Sequence, residues 1–446
     1  MRVIYVTAYL PDGASEAFLI PEIEALRRLG HEILVVPRSP GGRVVHGEDL
    51  VAISRRERPL SPQVLRAALR VSGAAPMRAL SAAACAFRSR SAWLAMKNLA
   101  VFPKALWLAE LAGLWGADHL HCHWSGTTAT MTLLASRISG IPWSLTAHRW
   151  DIVENNLLTL KTGAASFVRF ISQDGLKLAK VAGVTANAKT RVVPMGVRIP
   201  ERRVWRPAGD RVVLCPARLE EVKGHRFLIE AWRLLLDRGV SAKLWLAGDG
   251  TLKARIQAQI RELGLQDSVL LLGTVPNRSI LQMYKEGVVS ALVVPSVDLG
   301  NGHHEGVPVS LVEAMSYAIP VVATPTGGIT ELVIPGAGLL VPPENPLALA
   351  DAIQSLLENV QLAEQVGCAG RRRVIEAHDV DRIAGALASA FMDSSAPLLG
   401  AVIANGSAGP GDLFGDGVRL QRIELRDLGV AQGPAKKPNL IQDALH

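Results

Sequence analysis

Short apolar runs recur along this chain at 2–8, 32–36, 118–122, 142–147, 166–171 and 190–194, and again at 211–216, 243–248, 268–272, 288–294, 320–323 and 338–341. Each has the length of a β-strand. Stretches with helical spacing of apolar residues lie between many of them: Ser15 to Leu29 in the first series, then 225–238, 251–263, 278–286, 308–318 and 346–358 in the second. Their lengths suit βαβ units. Alternation of this kind predicts an α/β protein with parallel, doubly wound sheets and helices on both faces. In such sheets ligands bind outside the carboxyl ends of the strands.

The two series part near Met195-Gly196, which gives expected domains at residues 1–195 and 196–393. The alternation stops at about 394. Segments such as Ala404-Asn405-Gly406-Ser407-Ala408-Gly409-Pro410-Gly411-Asp412 and Gly433-Pro434-Ala435-Lys436-Lys437-Pro438 are loop chemistry, so 394–446 reads as a partly disordered tail. A chain of 446 residues has room for two or three cores of its own.

Hydrophobic residues make up 49% of the chain, yet no uninterrupted apolar run is long enough to span a bilayer. Met1-Arg2-Val3-Ile4-Tyr5-Val6 runs directly into the first strand pattern, without a signal-peptide region. Cys85, Cys122, Cys215 and Cys368 are scattered and lack the spacing of a zinc or redox motif. A cytosolic setting with free thiols is expected.

Charge adds one local feature. Between Arg58 and Ala109 there is no Asp or Glu, while Arg58, Arg66, Arg70, Arg78, Arg88, Arg90, Lys97 and Lys104 all occur. Leu65, Leu69, Met77, Leu80, Phe87, Trp93, Leu94, Met96, Leu99 and Phe102 stand among them. Basic and large apolar residues mixed on helices suit the surface of an anionic bilayer, and peripheral attachment at the cytoplasmic membrane face is expected. The plainer reading is a helical insertion packed by its apolar face, with a basic outer surface. Nothing else in the chain resembles a nucleic-acid-binding module.

Candidate chemistry concentrates in Glu305-Gly306-Val307-Pro308-Val309-Ser310-Leu311-Val312-Glu313. Pro is tolerated in a first helical turn, and the free N–H groups there make an anion site fit for phosphates. Glu305 and Glu313 only accept hydrogen bonds when ionised, which suits them to hydroxyls. Hydroxyl, phosphate and hydroxyl recognition in one stretch is what a nucleotide-sugar requires. A carboxylate near a helix N-terminus also gains from the dipole without any ligand, an explanation that fits Glu305 better than Glu313. Arg218 and Lys223 follow a strand end closely, where their cations can meet a diphosphate; as an isolated pair they would read as solvated surface residues.

The paired glutamates match the signature of retaining family-4 glycosyltransferases, which have the GT-B fold: two facing Rossmann-like domains with an interdomain cleft. Further segments are similar to that family, in its order: Arg218…Lys223-Gly224, Leu246-Ala247-Gly248-Asp249-Gly250, Leu272-Gly273-Thr274-Val275, Val294-Pro295-Ser296, Pro320-Val321-Val322-Ala323-Thr324, Gly327-Gly328 with Glu331, and Gly338-Leu339-Leu340-Val341-Pro342-Pro343. Ser144-Leu145-Thr146-Ala147-His148 with Asp151-Ile152 resembles the branch that builds bacterial exopolysaccharides. The resemblance covers most of residues 1–390.

It implies a glycosyl transfer from a nucleoside-diphosphate sugar to a hydroxyl of a glycan or lipid-linked glycan, with no cofactor. It implies catalytic roles for Glu305, His148, Arg218 and Lys223, and donor binding by Gly13, Arg218, Lys223, Val275, Glu305, Gly306, Val307, Pro308, Val309, Ser310 and Glu313. Glu313 would hold the ribose, Glu305 the donor sugar, and His148 would stand in the cleft beside that sugar. Two departures stand out. Leu10-Pro11-Asp12-Gly13-Ala14-Ser15-Glu16 replaces the family's Gly-Gly loop, and Val197 follows Met195-Gly196 where relatives carry aspartate.

Metal independence is expected. Asp379-Val380-Asp381 is the only Asp-x-Asp pair, in a terminal helical region far from any phosphate loop. His121 and His123 share one strand face with too few other ligands evident, and His303-His304 lacks recognisable partners. A catalytically silent GT-B-like subunit that binds a nucleotide-sugar remains the alternative. An NAD-dependent oxidoreductase would need a Gly-x-Gly-x-x-Gly after the first strand, and none is there.

Overall fold

The computed structural model of the chain describes residues 1–12, 16–41, 48–201, 205 and 211–395. Twelve strands form two six-stranded sheets. The first contains β1 (Arg2–Thr7), β2 (Glu32–Pro37), β3 (His119–His123), β4 (Trp143–Ala147), β5 (Val168–Phe170) and β6 (Thr190–Val192) in the order β2-β1-β3-β4-β5-β6. The second contains β7 (Val212–Pro216), β8 (Lys243–Ala247), β9 (Val269–Gly273), β10 (Val289–Val294), β11 (Val321–Ala323) and β12 (Leu339–Leu340) in the order β12-β11-β10-β7-β8-β9. Every pairing is parallel. All twelve apolar runs are therefore strands. The segment that contains Gly13 and the tail beyond Ser395 lie outside the described residues.

Period-two alternation explains how the first sheet is covered. Ile4 and Val6 face one core with Leu34, Val36, Leu120 and the helices Pro62–Ala74 and Phe102–Trp115. Val3 and Tyr5 face the other, with Ile33, Val35 and the helices Ile20–Arg28 and Val380–Ser395. The second sheet is enclosed in a single large core in which Trp232, Leu235, Leu311, Met315 and Ile353 are all buried. Covering the second core is the work of helices such as His225–Asp237, Val309–Ser316 and Pro346–Glu358.

The carboxyl-terminal helix does not stay with the sheet that precedes it. The expected division at 195/196 put residues up to 393 with the second half, but Val380–Ser395 packs against the first. Phe391 is buried against the rings of Phe167, His119 and His121. Arg28 holds the exposed Asp381 in an ion pair at 2.6 Å. The chain thus crosses between the halves twice, and the crossings run side by side: the Val197 amide donates to the His378 carbonyl at 2.9 Å, and Val380 returns a bond to Val197 at 3.1 Å. Val197, at the position where an aspartate was expected, is buried in that junction.

Strand order then locates the crevices. In each sheet the order reverses once, between β1 and β3 and between β7 and β10, and helices diverge there to leave space beyond the strand ends.

Candidate functional site

Lys223 follows β7 and Glu305 follows β10, so the two residues come from the strands that flank the reversal in the second sheet. Their side chains form an ion pair. Only 16% of Lys223 and 13% of Glu305 is exposed, which removes most of the water that would screen the pair. Ser296 Oγ donates to the same carboxylate oxygen at 3.4 Å, and the Gly306 amide meets the other at 3.2 Å.

Two glycines permit this approach. Gly224, at φ +65°, lies where a Cβ would collide with the Pro295 carbonyl, and Gly327, at φ +52°, would strike the Glu305 carbonyl. Any side chain would push the loop bearing Lys223 or the one bearing Glu305 out of place.

The loop after Glu305 turns into the helix Val309–Ser316, with Pro308 as its extended N-cap rather than a first-turn residue. Pro308 still accepts from the Leu311 amide at 3.0 Å, while Val309 and Ser310 supply first-turn amides that have no intrahelical acceptor. Gly306 and Val307 form the strip between Glu305 and this turn. Glu313 lies one turn further on, where Asn277 Nδ2 donates to it at 2.9 Å. Burial pushes its carboxyl up to about 7, against the opposing pull of the Asn277 bond. Val275, between β9 and the helix Asn277–Lys285, packs on the edge of the core. Arg218 is placed differently from Lys223: it is 61% exposed and bonded to Glu220 at 2.6 Å.

The first half supplies the facing wall. His148 follows β4 directly as the N-cap of the helix Arg149–Glu154, and its backbone amide donates to Asp151 at 2.8 Å. Burial pushes the Asp151 carboxyl up to about 6 and holds the His148 ring well below the usual imidazole range, so the ring is neutral at pH 7. Trp124 stacks on His148 at 4.2 Å between centroids. Next to it, Arg149 is buried, bonds the Gly302 carbonyl and stacks on Trp150 at 3.9 Å. Its Nε and Nη2 have no hydrogen-bond partner among the described residues. A Cβ on Gly306 would lie 4.0 Å from the Arg149 Cβ, so Arg149 and Gly306 face one another across the cleft.

Several partners were invisible in the sequence. Glu331 reaches across the halves to accept from the Gln173 and Asp174 amides, at 2.8 and 2.7 Å, at the N-terminus of the helix Gln173–Val181. His304 does have partners: it bonds the Glu305 carbonyl at 2.8 Å and lies 3.8 Å from Asp174. Glu16 accepts from the Ala8, Tyr9 and Leu10 amides, so the amides after β1 already hold an anion from the chain itself. Glu22 joins His121 and His123, with donor atoms of all three within 4.8 Å. That supplies the further ligand type that the sequence lacked. These groups are engaged, however: His121 bonds Ser144 at 2.8 Å and Thr146 at 3.0 Å, and Glu22 pairs with Arg169 at 2.6 Å.

The Glu313 shift has a pH signature. Its folded carboxyl lies above the ordinary value of 4.5, so the folded state binds the proton more tightly and the stability cost grows as pH rises from 4.5 through about 7. At full ionisation the cost is about 3 kcal/mol. Glu313→Gln removes it, so the variant's thermal stability relative to wild type should increase between about pH 5.5 and about pH 8. A difference independent of pH in thermal scans would show that burial does not raise this carboxyl.

Comparison with known proteins bears on the fold and on the second half of the chain. Residues 198–373 match the family model described as glycosyl transferases group 1. WcaL of Escherichia coli K12, a glycosyltransferase named for colanic acid biosynthesis, is 37% identical over 184 residues, 40% of this chain and 45% of WcaL. The amylovoran biosynthesis glycosyltransferase AmsK of Erwinia amylovora is 34% identical over 163 residues, 36% of this chain and 40% of AmsK. These matches thus span less than half of either relative. The crystal structure of Anabaena HepE in complex with UDP covers 88% of this chain and 100% of its own, with a TM-score of 0.65 at 19% identity. The fold is GT-B, and the stretch that matches the glycosyl transferases group 1 model, residues 198–373, makes up most of its second half.

Proposed function

We propose that this protein is a retaining glycosyltransferase that moves a sugar from a nucleoside diphosphate to a hydroxyl of a glycan or lipid-linked glycan during cell-surface polysaccharide synthesis. The observation that carries the reading is the shielded Lys223–Glu305 pair at the reversal of the second sheet, beside the free amides that open Val309–Ser316. Relatives point the same way, being glycosyltransferases named for colanic acid and amylovoran biosynthesis, and HepE was crystallised with UDP and with UDP-glucose.

In this reading the donor rearranges the pair. The diphosphate gives Lys223 a second anionic partner, and the first-turn amides of Val309 and Ser310 take phosphate oxygens. Glu305 is released to accept from hydroxyls of the donor sugar, while Glu313 accepts from the ribose. Arg218, exposed on the rim, adds a cation as charge builds on the leaving diphosphate. His148 meets the sugar from the opposite wall. In this reading no carboxylate among the described residues serves as a nucleophile on the far face of the sugar. The acceptor oxygen therefore attacks from the side the diphosphate leaves, a departing phosphate oxygen takes its proton, and the anomeric configuration is kept. Lys223 and the amides do what a metal would do elsewhere, so transfer is independent of divalent cations.

The membrane proposal gains support from exposure. Leu65, Leu69, Met77, Leu80, Phe87, Trp93 and Met96 are all exposed, among the exposed cations Arg58, Arg66, Arg88 and Arg90. Leu94, Leu99 and Phe102 are partly buried, and Lys104 is wholly buried on the carbonyls of Pro37, Arg38 and Glu57. Arg70 is engaged by Glu110 through two bonds of 2.8 Å. Among the described residues no helix is long and apolar enough to cross a membrane. Exposed apolar side chains ringed by cations fit the face of an anionic bilayer, where a lipid-linked acceptor would lie.

Two measurements test these readings. A panel of UDP-, GDP-, ADP- and dTDP-hexoses, assayed in excess EDTA, should contain a donor that is turned over with retention at the anomeric carbon by NMR. Lys223→Ala should lower that turnover about 100- to 1,000-fold. Turnover that needs added magnesium or manganese, an inverted product, or a well-folded Lys223→Ala enzyme with full activity would each contradict the mechanism. Phosphatidylglycerol vesicles should float the protein at low salt, and Arg66, Arg88 and Arg90 changed together to Glu should abolish flotation. Failure of the wild type to float removes the membrane proposal and leaves the transfer chemistry standing.

A further inference from the structure

Beneath His148 lies a chain of buried polar groups that a strand-packing core does not require. His123 Nδ1 is 3.3 Å from His148 Nε2, and His123 Nε2 is 3.2 Å from Glu22 Oε1. Glu22 also accepts from the Tyr5 hydroxyl at 2.9 Å and from Arg169 Nη1 at 2.6 Å. Glu22, Tyr5, His123 and Arg169 are fully buried, and His148 is 5% exposed. Arg169 spends its other donors on the carbonyls of Val193 and Pro194, in the segment that leads to the second half.

Charge settles which atoms carry protons. Burial alone would raise the Glu22 carboxyl, but the Arg169 guanidinium and the His123 bond outweigh it and hold the carboxyl well below the usual range. Glu22 is then a carboxylate and only accepts. The Arg169 cation already balances it. His123 Nε2 faces the acceptor-only Glu22 and so carries the N–H, and in a ring with one N–H the Nδ1 that faces His148 is the acceptor. His148 can meet that acceptor only by donating from Nε2.

We infer that Glu22 and His123 are positioning residues that lock His148 in the Nε2–H tautomer, leaving His148 Nδ1 as an acceptor for a hydroxyl of the donor sugar. The role of the lock in transfer rests on the reading of His148 as a sugar contact; the tautomer itself does not. The effect is to settle both the ring orientation and its proton before substrate arrives. Without the lock the neutral ring would exchange tautomers, and one of them would present N–H to a site that needs a lone pair.

Nitrogen-15 NMR of labelled histidines in the full chain tests the lock with no ligand present. In wild type, His148 Nδ1 should resonate as an unprotonated nitrogen and Nε2 as a protonated one. His123→Leu should give a tautomer mixture at His148. His123→Asn, whose amide oxygen can replace the Nδ1 acceptor, should restore the wild-type state and guards against misfolding of the Leu variant. With the fastest-hydrolysed member of the nucleotide-hexose panel, His123→Leu should lose about 10- to 50-fold in kcat/KM, and Asn should recover most of it. Affinity for the free nucleoside diphosphate should stay unchanged in both. A wild-type His148 protonated on Nδ1, or a single unchanged tautomer in His123→Leu, overturns the proposal. Full turnover in His148→Ala would instead defeat the sugar-contact reading, leaving the tautomer result to decide the lock.

Discussion

The ion pair between Lys223 and Glu305 depends on an arrangement that neither residue controls. The second sheet reverses its order between β7 and β10, which separates the helices that follow them and leaves the two strand ends facing one opening. Gly224 lets one loop lie against the Pro295 carbonyl, and Gly327 lets another lie against the Glu305 carbonyl. With both loops fixed, a cation and an anion meet in a place largely closed to water. A shielded pair of this kind is costly to leave half-made, because the remaining charge has lost its hydration. It is correspondingly receptive to a ligand that brings an anion for the lysine and hydroxyls for the glutamate.

The facing wall is held in place by bonds that cross the cleft. Glu331 accepts two amides at the N-terminus of Gln173–Val181, where a carboxylate also meets the positive end of the helix dipole. Arg149 reaches the Gly302 carbonyl, and His304 lies near Asp174. Behind them the helix Val380–Ser395 returns to the first sheet and buries Phe391 against the histidines of β3. One chain segment thus roofs the His121–His123 network while its start is bonded to the strand-like link at Val197. The orientation of His148 and the relation between the halves are maintained by neighbouring parts of one core.

Local pattern made the strands legible. Every apolar run became a strand because the runs are short, strongly hydrophobic and separated by helical spacing. Lys223, Glu305 and Glu313 were legible through their spacing within motifs, and the structure puts the first two in contact. Arg218 shared that motif but lies on the rim with Glu220. Other relations were hidden because the partners are remote in sequence: Glu22 meets His123 across 101 positions, and Glu331 meets Gln173 across 158. Val380–Ser395 looked like a closing helix of the second half, since helical periodicity states which face is apolar and not which core receives it. The amides after β1 gave no sign in the sequence that Glu16 would fill them.

The central claim is a division of labour at the second sheet: Glu313 for the nucleoside, Glu305 for the sugar and Lys223 for the diphosphate between them. Titration calorimetry with UDP, GDP and ADP measures it directly, taking the tightest binder. Glu313→Ala should weaken that nucleotide by about 10- to 50-fold through loss of the ribose contact. Glu305→Ala should leave affinity unchanged or tighter, because it frees Lys223 for the phosphates. Equal losses in the two variants, or no loss in Glu313→Ala, would contradict the account.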